Sequence, residues 1–225
     1  MAIVDDLVTV LSPDGKIERE ISLYELLGDR IPPARLDAIA KGEPWAHGVR
    51  AADVFHTNAV EVLERDLWGL PTAGDVLVCI RELDLLAVLD LDARRVEWSW
   101  GPGVLARPHS PTLVSGGGVL VFDNGKGRGY SRILEVDPRR GEVAWEYRAD
   151  PPGSFFTSNQ GASQPLANGN VLITESKRGH AFEVTREGRI VWEFYNPDVE
   201  DGRRGIPNSV TRIDPRRAEP HLAAR

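Results

Sequence analysis

The chain has 225 residues, 41% of them hydrophobic and 27% charged, with a formal net charge of −7 and one cysteine. That length fits one domain or one compact repeat array with ample core. The acidic balance argues against nucleic-acid binding, which needs a basic stripe, though it leaves room for a local basic patch; a lone cysteine excludes an internal disulfide or a cysteine-cluster zinc site.

The first residues, Met1-Ala2-Ile3-Val4-Asp5-Asp6, lack a basic region followed by an apolar stretch. No run approaches the roughly 18 apolar residues of a membrane-spanning helix. As it stands, the sequence reads as cytoplasmic, with no membrane span.

In chain order, the first element is a hairpin over Val10-Leu11-Ser12-Pro13-Asp14-Gly15-Lys16-Ile17, where Pro-Asp-Gly marks the turn. Residues 23–42 read as one or two short helices. Leu23, Leu26 and Leu27 have helical spacing, Pro32-Pro33 interrupts, and an Ala-rich run follows. His56-Thr57-Asn58 then opens an apolar run, and 76–80 is a second run that ends at Arg81. Cys79 lies within that second run and reads as a small buried core residue.

A hairpin follows, ending in Trp98. The same order recurs twice. His109 opens 109–113, then comes the run 119–122, then a hairpin ending in Trp145. Gly161-Ala162-Ser163-Gln164 opens the next copy, followed by 171–174 and a hairpin ending in Trp192. The three tryptophans are 47 residues apart each time.

Several short antiparallel strands per unit, at a period between 40 and 50 residues, are the signature of propeller blades. The competing all-β reading, a sandwich built of meanders, has no reason for a constant period. We therefore expect an all-β propeller in one domain, 1–215, with a polar, disordered tail at 216–225. About three full four-stranded blades and a partial one are visible. A closed propeller needs four to eight. The count implies that N-terminal blades are absent from this chain, or that a homo-oligomeric partner completes the ring.

Two histidines, His56 and His109, stand ahead of the first run of their blades, 53 residues apart. The start of an innermost strand faces the funnel where propellers bind ligands, and the third copy has no histidine there. Arg81, five residues past the start of its run, has Asn124 and Ser176 as counterparts. A guanidinium there suits an anion. The plain alternative for each is a surface or core polar residue. His47, His180 and His221 recur nowhere. The loop Asp123-Asn124-Gly125-Lys126-Gly127-Arg128-Gly129 lacks EF-hand acidic spacing and reads as a flexible turn. No nucleophile elbow, zinc-protease, Walker or dinucleotide motif is present, and no cofactor or metal is expected.

These residues in this order resemble the arylsulfotransferase family: His56-Thr57-Asn58, Arg81, His109, Phe122-Asp123-Asn124-Gly125, Ser131-Arg132 and Trp145-Glu146-Tyr147. The resemblance runs from about Val54 to Phe194. It implies a six-bladed propeller of a bacterial family whose enzymes are often periplasmic or secreted. They move a sulfuryl group from a phenolic sulfate to a phenol without a nucleotide donor.

By that resemblance His109 is the histidine that becomes sulfated. His56, Asn58 and Arg81 hold the sulfuryl group and assist the leaving phenol. Small aromatic sulfates and phenols are the implied partners. The other readings are a non-catalytic binding propeller, an inactive fragment of the family, and a lactonase-type propeller. The last would need carboxylates converging on the funnel, and Asp84, Asp90 and Asp123 share no blade position.

Overall fold

The computed structural model of the chain describes residues 2–43, 52–67, 70, 72–214 and 216. His47, His221 and the tail beyond Arg216 lie outside these residues. The chain opens with a hairpin of β1 (Leu7–Leu11) and β2 (Ile17–Ser22). Two helices follow, α1 (Leu23–Leu27) and α2 (Pro33–Lys41). The Ser22 side chain accepts from the Glu25 N–H to start α1. Pro33 occupies the first turn of α2, and Gly42 ends it with a left-handed φ of 68°.

Three four-stranded antiparallel meanders then succeed one another. The first holds β3 (Thr57–Val62), β4 (Val76–Ile80), β5 (Leu85–Asp90) and β6 (Arg95–Trp100). The second holds β7 (His109–Leu113), β8 (Val119–Asp123), β9 (Arg132–Asp137) and β10 (Glu142–Tyr147). The third holds β11 (Ala162–Pro165), β12 (Val171–Glu175), β13 (His180–Val184) and β14 (Ile190–Tyr195). A small hairpin, β15 (Val199–Glu200) with β16 (Arg203–Arg204), comes last. This is a series of propeller blades. Among the described residues no helix is long and apolar enough to cross a membrane.

The blades stack face to face, so each middle strand is covered on both sides. That is why β4, and β8 and β12 up to Phe122 and Ile173, are continuous apolar runs rather than alternating ones. The strand period of two divides each run between two layers. Val76, Val78 and Ile80 pack with Ile21, Leu23 and Leu27 of the N-terminal hairpin and helix. Leu77 and Cys79 point the other way, onto Val119, Val121 and Leu134 of the second blade. The third layer is aromatic. Phe155 meets Phe122 and Phe182 edge-on at 5.6 and 5.5 Å, a favoured geometry for ring pairs.

A recurring polar contact explains the periodic tryptophans. The indole N–H of Trp98 donates to Pro138 O at 3.0 Å, and that of Trp145 to Arg186 O at 2.7 Å. Each outer strand thereby fastens to the turn of the following blade. Arg19 does the same for the N-terminal hairpin, donating to Leu91 O at 3.2 Å. That hairpin therefore carries the two outer strands of a blade, with arginine replacing tryptophan. Trp192 repeats the residue on the third blade, but no described carbonyl accepts from it.

Beyond the third blade, the extended stretch 206–214 runs beside β11 as β7 runs beside β3. Arg212 N donates to the Gln164 side chain at 2.8 Å, just as Leu113 N donates to Glu61 at 3.3 Å. Both acceptors face the second residue of their neighbouring strand. Residues 206–214 thus take the place of the innermost strand of a further blade.

Candidate functional site

The innermost strands begin side by side, and their starts gather the polar residues. Register refines the expected equivalence of the two histidines. Thr57 pairs with Ile80, the last residue of β4, whereas His109 pairs with Phe122, the penultimate residue of β8. His56 therefore sits two steps earlier on its strand than His109 does. The level of His56 is occupied by Arg107 in the second blade and Gln160 in the third. The level of His109 falls on the Asn58–Ala59 bulge in the first blade and on Ala162 in the third.

His56, Arg107 and Gln160 all hold left-handed backbone, with φ of 48°, 59° and 62°. Asp84 and Ser110 nearby do the same, at 52° and 46°. Each such non-glycine residue costs about 1–3 kcal/mol, and they cluster where a fold presents a site. Gly161, at φ 97°, follows Gln160. A Cβ there would lie 2.7 Å from the Phe122 ring, so only glycine brings the third strand this close.

His109 is held from three sides. Its Nδ1 lies 2.7 Å from Asn124 Oδ1 and 3.2 Å from Arg107 O. The Asn124 amide is oriented by its Nδ2, which donates to Thr157 O at 2.8 Å and Gln160 O at 2.6 Å. Two oxygens facing Nδ1 require that it carry the proton. The lone pair is then on Nε2, where the Gln160 N–H donates at 3.2 Å. Burial pushes the imidazole below its ordinary value. The bonds to Asn124 and Arg107 oppose this, and Arg81 and His56 add to it. His109 is therefore a neutral imidazole at neutral pH.

Across from it, His56 Nδ1 pairs with Asp53 Oδ2 at 2.5 Å. That leaves Nε2 toward the opening, on a side chain 41% exposed. Beneath both lies Glu82, whose side chain is 1% exposed. Arg107 grips it bidentately at 2.6 and 2.9 Å. Arg81 approaches through Nε at 3.0 Å and Nη2 at 2.9 Å. Arg35, from α2, reaches it at 3.1 Å and also donates to Asp53 O. A continuous network thus joins His56, Asp53, Arg35, Glu82, Arg107 and His109. Three guanidinium groups meet one carboxylate, so the site carries surplus positive charge. Lys126 belongs to the same field: burial lowers its pKa, and Arg107 and Arg81 lower it further.

Asn58 donates to Pro108 O at 2.8 Å, tying the first two inner strands together, while its Oδ1 is buried without a partner. A groove of about 640 Å³ between β1 and β3 reaches the site at Thr57 and Asn58. From the side of the further blade, Asn208 accepts from the Gln160 side chain at 2.7 Å.

Other residues singled out in the sequence have local partners. Asp84 accepts from Arg107 N at 2.6 Å, and Asp90 caps its own turn at Asp92 and Ala93. Asp123 holds Arg128 at 2.9 Å and Arg132 at 2.7 Å, which anchors the glycine-rich loop. Cys79 is buried, and burial pushes its thiol far up, so it is a core residue. His180 reads in the sequence as a turn or strand edge. It opens β13 directly after such a turn and is buried there, between Glu175 and Glu193 at 3.1 Å each and stacked on Tyr195 at 4.3 Å.

The structure brings His56, Arg81 and His109 into one network and sets Asn58 beside it. Sequence reasoning missed Glu82, Arg107, Gln160, Asp53 and Arg35. Arg107 carries a signal in hindsight, two residues before His109 as Gln160 is two before Ala162. Arg35 carries none, because it enters from the helical insertion.

A family model for arylsulfotransferase (ASST) matches residues 1–197. No curated protein matches the chain. Among solved structures, a protein of unknown function from Bacteroides caccae is 15% identical with a TM-score of 0.54, covering 84% of this chain and 54% of that one. A catalytically inactive virginiamycin B lyase from Staphylococcus aureus with quinupristin is 14% identical with a TM-score of 0.51, covering 90% and 50%. The Dos1 propeller is 14% identical with a TM-score of 0.50, covering 86% and 42%. At such identities the likeness concerns the propeller fold alone. The chain spans about half the length of these structures.

Proposed function

The chain belongs to the arylsulfotransferase family, and we propose that it transfers a sulfuryl group from a phenolic sulfate ester to a second phenol through His109. The observation that carries this reading is the state of His109. It is a neutral imidazole with Nδ1–H fixed on Asn124, set in a surplus of guanidinium charge.

In the first half-reaction the Nε2 lone pair attacks sulfur and the bond from sulfur to the aryl oxygen breaks. Its electron pair leaves on the phenolate, which takes a proton from His56 Nε2. His56 gives this proton as the imidazolium, which Asp53 stabilises through Nδ1–H, and is left neutral for the second half. Arg81 and Asn58 take the sulfuryl oxygens, with Arg81 using the N–H groups that Glu82 leaves. Such prearranged donors are worth about 2.7–4 kcal/mol of barrier each. In the second half, His56 takes the proton of the acceptor phenol, the phenol oxygen attacks sulfur, and the S–N bond breaks back to Nε2. Gln160 N–H sits on Nε2 at 3.2 Å, the long end of hydrogen bonding. It yields to the incoming sulfur and becomes a further donor to its oxygens.

The same contact favours a second reading. A capped Nε2 suits a non-catalytic propeller that binds a partner on this face.

The assay mixes 4-nitrophenyl sulfate with a second phenol. Transfer predicts that nitrophenolate release beyond one turnover requires the acceptor, with parallel reciprocal plots as acceptor is varied. No release from folded protein favours the binding module or an inactive fragment.

A further inference from the structure

We infer that Glu82 is a positioning residue for this site: its carboxylate gathers arginines from three separate elements and sets where their remaining N–H groups point. The inference rests on the sulfuryl-transfer reading above, and one arm of its test is independent of turnover.

Glu82 lies in the short turn Arg81–Leu83 that follows β4. Arg81 precedes it in the chain, Arg107 arrives from the start of the second blade, and Arg35 comes from α2. A carboxylate offers about four lone-pair sites. Here five guanidinium N–H groups converge on it. Glu82 therefore has no capacity left for a substrate, and as an anion it would repel one. It is not a catalytic residue.

What it controls is the arginines. Their side chains are only 13% and 11% exposed at Arg81 and Arg107, so the Glu82 contacts fix both guanidinium groups and leave only their other N–H groups for an anion. Arg107 is also fixed through its backbone. Its N–H donates to Asp84 at 2.6 Å, and its carbonyl faces His109 Nδ1 at 3.2 Å. A shift of Arg107 is therefore felt at the nucleophile. Arg35 extends the same control to His56 through Asp53. A buried ion cluster serving stability alone would have no reason to touch both histidines.

The test compares Glu82→Gln with the native protein in two measurements. One is calorimetric binding of inorganic sulfate. The other is acceptor-dependent turnover of 4-nitrophenyl sulfate. Glutamine keeps the shape but frees guanidinium donors and raises the surplus charge. Sulfate should then bind about threefold or more tightly, while kcat falls about tenfold or more because the donors are misplaced. A structural role would weaken both together.

Glu82→Asp keeps the charge and retracts it by one methylene, and it decides the matter if the glutamine variant does not fold. Its kcat should fall with sulfate affinity little changed. Native kcat and native sulfate affinity in either folded variant would overturn the inference. If the native protein shows no turnover, the transfer reading fails by itself, and the sulfate arm alone then decides. Tighter binding by Glu82→Gln supports the positioning role, and unchanged binding overturns it.

Discussion

His109→Asn is expected to lower acceptor-dependent sulfuryl transfer by about 10³-fold or more, the scale seen when an enzyme loses its nucleophile. Among the residues of this network, His109 is the one whose protonation state is set for attack. Asn124 and Arg107 fix the proton on Nδ1, and burial keeps the ring neutral. Asparagine has no basic nitrogen, yet it is polar and smaller, so the fold is retained. Circular dichroism and a denaturant midpoint near the native one separate loss of chemistry from loss of structure.

The sign of the pH dependence follows from the same burial. An imidazole in water titrates near 6.5. His109 is depressed below that, so its lone pair survives as pH falls through the ordinary value. The acid limb of the rate therefore lies below the ordinary imidazole value, where the depressed group protonates. An acid limb lying above the ordinary imidazole value would contradict this assignment.

Asn124→Asp is the second large effect. A carboxylate still accepts the Nδ1–H bond, but an opposite charge favours imidazolium and raises the His109 pKa. The acid limb of kcat/KM should move to higher pH. Two bonds are also lost, because Asn124 Nδ2 donates to Thr157 O and Gln160 O. An oxygen facing those carbonyls displaces the Gln160 loop, so even the high-pH plateau should fall, by about 10²-fold. A pH–rate profile of the variant checks both points. An unshifted limb would mean that the group titrating in the profile is not His109.

The blade order was legible because its cause repeats. Each outer-strand tryptophan fastens to the next turn, so Trp98 and Trp145 must recur at one spacing. The N-terminal hairpin was legible only as a copy lacking tryptophan; that Arg19 makes the same contact is a fact of geometry. The stretch 206–214 was missed because no apolar run or hairpin follows it. Its likeness to the start of β7, Pro207-Asn208-Ser209 beside Pro108-His109-Ser110, is short and lacks the histidine.

For the site, sequence position named His56 and His109, which stand ahead of the first run of their blades, and Arg81, which ends its run. It placed the two histidines at a similar blade position, and the two-residue offset between them appears only in the register, where bulges fall at Asn58 and after His109. Glu82 was invisible for a different reason. Its importance comes from three arginines that are distant in sequence, and Arg35 lies in a helix that periodicity could place but not dock.

The most direct measurement is peptide mass spectrometry after mixing the protein with 4-nitrophenyl sulfate in the absence of acceptor. The quench is alkaline to preserve an N–S bond. One added sulfuryl group is expected on the peptide carrying His109, lost when a phenol is supplied. Nitrophenolate release with His109 unmodified, or a sulfuryl group on another residue, would contradict it.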